Sequence, residues 1–323
     1  MDHTQDVISV ENLHKYYNSV KAVNGISFNV KSGEIFGMVG PNGSGKTTTI
    51  ESIEGLRKPD QGVVRVLGLD PWEDMQELRE RTGIQLQLSN LPNRMRVCEA
   101  LDLFASFYQH SCSWGSLLEE LGLADKQKAF YNQLSGGQKQ RLFVALALIN
   151  QPEIVFLDEL TTGLDPQARH ATWDLVKEIR ARGTTVFLTT HFMDEVESLC
   201  DRVAILDLGR LIALDTPAKL INQLDLDMRI SFYINGKSAL SANETLEASF
   251  RREFKPALIR VLDDVKQVEQ QGDQVIVYGK GSSLVGNLIS ILEAEQVPFK
   301  NLRTEQADLE DVFLALTGRG MRN

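Results

Sequence analysis

The sequence predicts an α/β protein: a mixed sheet core with an antiparallel β subdomain, a helical subdomain, and a small separate α/β domain at the C-terminal end. Three observations carry this reading. Short apolar runs alternate with amphipathic helical segments from residue 154 to 208, the pattern of parallel strands covered by helices. Between about residues 96 and 150 strand patterning gives way to helical spacing. From about residue 225 the strand-and-helix pattern restarts. The expected domains are therefore 1–224, with the helical subdomain at about 88–150, and 225–323.

The elements follow in order. Residues 7–36 hold alternating strand patterns, "VISVE" and "ISFNV", broken by Asn-Gly and Ser-Gly turns, which suits an antiparallel piece. "EIFGMV" is a buried-type strand, "TTTIESIEGL" a helix with Ile50, Ile53 and Leu56 at helical spacing, "GVVRVLG" a strand and "WEDMQELRER" a helix. The insert reads as the helices "VCEALDLFASFYQ", "SLLEELGL" and "QKQRLFVALALI". Next come "EIVFLDE", "ARHATWDLVKEIRARG" with Gly183 as its C-cap, "TTVFLTT", "FMDEVESLC" and "DRVAILDLG". The last domain begins with the strand "MRISFYI" and a hairpin about Gly272-Asp273. Two helices, "SSLVGNLISILEAEQ" and "ADLEDVFLALTG", complete it.

Composition narrows the function. The 323 residues are 42% hydrophobic and carry a formal charge of −10, so neither a general nucleic-acid surface nor a polybasic membrane anchor is expected. Cys98, Cys112 and Cys200 are scattered without metal-ligand spacing and read as reduced thiols. The acidic, polar start "MDHTQDVISV" lacks the pattern of a leader sequence, and none is expected. The longest apolar run, Leu142–Ile149, is too short to span a bilayer. A soluble or peripheral protein is expected.

Chemistry concentrates in three places. Gly40-Pro41-Asn42-Gly43-Ser44-Gly45-Lys46-Thr47 fits G-x-x-x-x-G-K-[ST], between a strand and a helix as the motif requires. Its glycines allow successive N–H groups to face an anion, and the helix start beyond it adds unpaired donors. Lys46 is expected on the β- and γ-phosphates of a nucleotide and the Thr47 hydroxyl on Mg²⁺, with Thr48 completing the cradle. The buried-type strand "IVFLDE" delivers Asp158 and Glu159 at its C-terminal edge, where open α/β sheets bind ligands. Asp158 is expected to hold Mg²⁺ through water, and Glu159 to act as general base on the attacking water. "LSGGQKQR" starts a helix at Ser135-Gly136-Gly137, a second set of free donors for an anion. One nucleotide needs one phosphate loop, so this second start is expected to meet a nucleotide held by another subunit.

With these motifs in place, residues 7–222 resemble the nucleotide-binding subunits of ATP-binding cassette (ABC) proteins, P-loop ATPases. The resemblance implies a signature segment Leu134, Ser135, Gly136, Gly137 and Gln138 that contacts ATP across a dimer. It implies that Gln87 senses the γ-phosphate and Mg²⁺, with Gln85 the alternative register. It implies a D-loop at Leu164 and Asp165, and a switch histidine, His191, at the γ-phosphate. Tyr17, or failing it Tyr16, would stack on adenine. One departure stands out: the family's proline after the catalytic glutamate is Leu160 here, which leaves the turn an N–H and a freer φ.

A single cassette without a membrane span implies a second copy or a homologous ATPase subunit as partner. "GIQLQ", "TTGLDPQAR" and the closing "ADLEDVFLALTG" resemble ATPase subunits of multidrug or antibiotic-type exporters, whose pathway is a separate integral membrane permease. ATP and Mg²⁺ are the implied cofactors. The implied place is the cytoplasm, peripheral on the inner face of the cell membrane, with membrane contact only through the permease. The alternative is a soluble ABC-type ATPase acting as an assembly or regulatory factor. A ribosome-directed protein of this type would fuse two cassettes with a basic linker, and a DNA-repair type would carry long coiled-coil insertions.

Overall fold

The computed structural model describes residues 5–85, 90–223, 228–234, 256–281 and 283–318. In chain order the first strands and helices are β1 (Asp6–Tyr17), β2 (Val20–Lys31), β3 (Ile35–Val39), α1 (Lys46–Ile53), β4 (Gln61–Val66), α2 (Met75–Arg81) and β5 (Thr82–Gln85). The helical insert holds α3 (Val97–Ala105), α4 (Trp114–Glu120) and α5 (Gly136–Leu148). Then come β6 (Ile154–Asp158), α6 (Pro166–Ala181), β7 (Thr185–Thr190), α7 (Met193–Leu199), β8 (Arg202–Asp207), β9 (Arg210–Asp215) and α8 (Pro217–Gln223). The chain ends in β10 (Met228–Ile234), β11 (Val265–Gln271), β12 (Gln274–Gly279), α9 (Leu284–Ala294), β13 (Phe299–Gln306) and α10 (Leu309–Thr317). Chain contacts separate a compact unit running to Pro217 from a second unit, Ala218–Ala315.

The first unit is built on a six-stranded sheet ordered β5-β6-β7-β3-β8-β9. All its pairs are parallel except β8 with β9. Covered on both faces, β3, β6 and β7 are buried at every residue, which is why their sequences read as unbroken apolar runs. Gly37 in β3 makes room for α7: a Cβ there would stand 2.6 Å from Cys200 Sγ. Cys200 is thereby sealed in, and burial pushes its thiol well above the ordinary cysteine pKa.

A three-stranded antiparallel sheet, β2-β1-β4, packs its apolar face on this core. Phe28 of β2 stacks on Phe36 of β3 with ring centroids 5.3 Å apart, and Phe187 of β7 lies 5.4 Å from Phe36. This aromatic set joins the two sheets and adds directional ring contacts to the area buried.

The second unit is a four-stranded antiparallel sheet ordered β11-β12-β10-β13. Leu284, Leu288 and Leu292 recur at the spacing of one helix face, and they pack α9 on Ile230, Phe232, Val275 and Val277 of the sheet. The hairpin about Gly272-Asp273 is present, with Gly272 at φ 61°. Three strands escaped the sequence reading: β5, four residues long directly after α2, β9 and β13. β9 follows a tight turn directly after β8. β13, "FKNLRTEQ", is mostly exposed and pairs only along β10 at the sheet edge. The segment "WEDMQELRER" becomes helical only from Met75, because Asp70 holds the N–H groups of Trp72 and Glu73 in a turn.

Candidate nucleotide site

The phosphate loop is held from both sides. A Cβ on Gly40 would stand 2.3 Å from the Leu206 carbonyl oxygen, and one on Gly45 would stand 2.5 Å from that of Ala22. Gly45 also adopts φ 105° as the N-cap of α1, a conformation closed to residues with a side chain. Substitution at either glycine would thus push the loop off the core. Gly43, at φ 78°, has open space before it, and Ser44 Oγ is buried without a hydrogen-bond partner among the described residues. A phosphate oxygen would meet that need.

Lys46 is only 5% exposed. Its ammonium donates to the carbonyl oxygens of Gly40 at 2.7 Å and Pro41 at 3.1 Å, two of its three donors. Burial lowers its pKa from the usual lysine value, against the opposing pull of the Glu159 and Asp158 carboxylates. Asn42 to Thr48 line a cavity of about 460 Å³ together with Val20, Lys21, Ala22, Glu159 and Leu208, a size suited to one small ligand.

The two acids differ in setting. Asp158 ends β6 at 4% exposure and accepts a hydrogen bond from Thr189 of the neighbouring strand. Burial raises its pKa, partly offset by the Thr189 bond. Glu159 leaves the sheet at φ 48°, a left-handed turn that costs a non-glycine residue about 1–2 kcal/mol. Its N–H is anchored to the Thr189 carbonyl oxygen at 3.0 Å. The turn brings Glu159 to the cavity wall. Thr162 Oγ1 donates to Glu159 Oε2 at 3.2 Å, and His191 Nδ1 lies 3.6 Å from Oε1. Leu160, where the family pattern has proline, is 3% exposed, so side-chain burial secures the turn.

Around His191, the Phe192 ring lies 4.0 Å away by centroid and carries the Arg169 guanidinium at 4.2 Å. Behind it, Trp173 Nε1 donates to buried Glu195 at 3.2 Å, tying α6 to α7.

Ser135 caps α5 through a reciprocal box: its Oγ accepts from Gln138 N and its N–H donates to Gln138 Oε1. Leu134 is buried, whereas Ser135 and Gly136 face outward. A Cβ on Gly136 would stand 3.9 Å from Leu164, and one on Gly137 would stand 3.4 Å from Ala168, so this helix start and the D-loop share one surface. Asp165 caps α6 by accepting from Ala168 N at 2.8 Å. None of residues 134–138 lines the cavity around Lys46.

Gln87 lies outside the described residues, and Gln85 is a buried residue at the end of β5. Tyr17 is 38% exposed at the end of β1, outside the cavity lining, with the Arg57 guanidinium 5.4 Å from its ring centre. Tyr16 Oη instead pairs with His14 Nδ1 at 3.0 Å. Sequence reasoning missed Thr189, whose place before His191 on a strand edge is a usable signal. It also missed Val20, Lys21, Ala22 and Leu208, which have none. A larger cleft of about 650 Å³ between α4 and the C-terminal end of α6 contains none of the motif residues.

Comparison with known proteins agrees with this geometry. Residues 23–162 match the ABC transporter family. Nod factor export ATP-binding protein I of Ralstonia nicotianae is 37% identical over 324 residues, covering 98% of this chain and 95% of that protein. Among solved structures, an ATP-binding subunit of an ABC transporter superposes with a TM-score of 0.61 at 29% identity, over 68% of this chain and 93% of that one. A dimeric ATP-binding cassette bound to ADP and Pi, in a post-hydrolysis state, superposes with a TM-score of 0.57 at 28% identity, over 65% and 98%. By this likeness along nearly its whole length, the chain belongs to the ATP-binding proteins of ABC transporters, as an export-type ATPase subunit.

Proposed function

We propose that the chain works as half of a composite ATPase, two copies or two homologous subunits closing around two ATP molecules to drive export through a separate membrane permease. One observation carries this: the Ser135 helix start is exposed, with the Gly136 and Gly137 N–H groups outside its capping box, and the cavity at Lys46 is lined without it. A γ-phosphate held at Lys46 would meet that helix start only from another subunit. The dimeric solved cassette supports the same arrangement. Among the described residues no helix is long and apolar enough to cross a membrane, which supports a place on the inner membrane face through the permease.

In the proposed reaction the Glu159 carboxylate takes a proton from water as its oxygen attacks the γ-phosphorus. The bond to the ADP oxygen breaks and phosphate leaves. His191 and Lys46 hold the γ-phosphate, Tyr17 meets the base end, and Leu164 and Asp165 relay the state of one site to the other. Hard oxygen donors suit Mg²⁺: Thr47, Asp158 through water, and Gln87 would hold it. When bound, it neutralises charge on the β- and γ-phosphates. ATP closes the dimer and hydrolysis reopens it, a population shift passed to the permease. The test is affinity purification of the tagged chain from detergent-solubilised membranes of its own host. A stoichiometric multi-span partner that stimulates ATPase activity is expected. Full activity on a soluble partner alone would favour an assembly or regulatory role.

A further inference from the structure

β7 ends in Thr189 and Thr190, side by side and each 1% exposed. A strand buried at every residue is the natural place for valine or isoleucine, and valine has the shape of threonine. A hydroxyl sealed in such a strand costs stability unless its hydrogen bonds are met. Both hydroxyls are met, and by groups at the edge of the site.

Thr189 stands directly opposite Asp158 in the parallel pairing of β7 with β6. Its Oγ1 donates to Asp158 Oδ1 and accepts from the Glu159 N–H at 3.3 Å, and its own carbonyl oxygen accepts the same N–H at 3.0 Å. A hydroxyl has one proton, and giving it to Asp158 leaves lone pairs for the Glu159 amide. One side chain thus holds the carboxylate of one acid and the backbone of the next, where the chain enters its left-handed turn at φ 48°. Side chains alternate along a strand, so the Thr190 hydroxyl points the other way. There it accepts from Phe192 N at 3.0 Å and closes the turn that carries His191.

We propose that Thr189 is a positioning residue for ATP hydrolysis, its hydroxyl fixing the acid assigned to Mg²⁺, Asp158, against the general base, Glu159. The inference rests on the ATPase reading above. Thr189 lines no part of the nucleotide cavity, so it acts through the two acids alone. Without the hydroxyl, Asp158 loses the donor that fixes its carboxylate, and Glu159 keeps its turn by the carbonyl bond only.

The test compares Thr189→Val, which removes the hydroxyl at constant shape, with Thr189→Ser, which keeps it. Steady-state ATPase kinetics of the full chain give kcat and KM. Calorimetry gives the Kd of adenylyl imidodiphosphate, a non-hydrolysable ATP analogue, with Mg²⁺ and in EDTA. Thr189→Val is expected to lower kcat about 10- to 100-fold and to weaken binding with Mg²⁺, the usual result of removing the partner of a metal-holding side chain. Its Kd in EDTA is expected to match wild type, with the phosphate loop intact. Thr189→Ser is expected to stay within a few-fold of wild type throughout. Wild-type kcat in Thr189→Val would overturn the proposal. So would Thr189→Ser falling as far as Thr189→Val, since the methyl group would then be what matters. Lost affinity in EDTA would overturn it too, because the residue would then act on the phosphate loop or the fold. Glu159→Gln checks the underlying reading separately: if it turns over as wild type does, the general-base assignment fails whatever the threonine variants show.

Discussion

His191 Nδ1 lies 3.6 Å from Glu159 Oε1, across the edge of the central sheet. Neither residue reaches that place through local sequence. Glu159 arrives through its left-handed turn after β6 and His191 through the end of β7, and the parallel register of these strands brings them level. The carboxylate faces the cavity while Thr162 and His191 flank its two oxygens. That is a suitable setting for a base that must accept one proton from one direction.

Glu159→Gln is therefore expected to keep ATP binding and to lose turnover by about 10²- to 10⁴-fold, the usual contribution of a general base. The amide fills the same space but does not take the proton. A steady-state ATPase assay beside an ATP-binding assay checks this. Turnover within a few-fold of wild type would remove Glu159 from the role.

Lys46→Ala is expected to abolish measurable ATP binding or hydrolysis while leaving the fold in place. The ammonium is bonded to two loop carbonyls and gains little from burial, since desolvation already lowers its pKa. Circular dichroism and thermal unfolding like wild type, with activity gone, is the expected pair of results. Normal ATPase activity would refute the phosphate assignment.

The second unit supplies a pH prediction. Asp311 is buried at the start of α10, where it accepts from Arg229 Nη1 at 3.3 Å and exchanges capping bonds with Asp308. Burial dominates and pushes its pKa up to about 6, with Asp308 adding repulsion and Arg229 opposing both. The folded unit then binds this proton more tightly than the unfolded chain, whose carboxyl titrates near about 4. Its contribution is fully present below about pH 4 and is lost as the pH rises through about 6. Calorimetry should show this unit melting at lower temperature at pH 7 than at pH 5. Asp311→Asn should flatten that difference, and an unchanged pH slope in the variant would contradict the assignment.

The phosphate loop, the acid pair and the Ser135 helix were readable because each is local: donors, acids and caps sit at fixed spacing within a few residues. The buried strands β3, β6 and β7 were readable because burial on both faces leaves an unbroken apolar run. β13 escaped because a sheet-edge strand with little burial has no apolar alternation to read. Val20 and Leu208 escaped for a different reason. They are 188 positions apart in sequence, and only the strapping of the β8–β9 turn to the phosphate loop and β2 makes them neighbours of one cavity.

The central claim is that one ATP is shared by two chains, and crosslinking between single-cysteine chains tests it most directly. Native Cys98, Cys112 and Cys200 are first replaced, with alanine at the buried Cys200. One preparation then carries Asn42→Cys beside Gly43, and the other carries Gly136→Cys beside Ser135, where a Cβ meets nothing closer than 3.9 Å. Both carry Glu159→Gln to hold the closed state. With the two mixed and a short thiol crosslinker added, the account predicts a covalent heterodimer with Mg-ATP and none without it. Crosslinking that is indifferent to ATP, or an intrachain bridge when both cysteines are placed in one chain, would contradict the shared site and the dimer mechanism built on it.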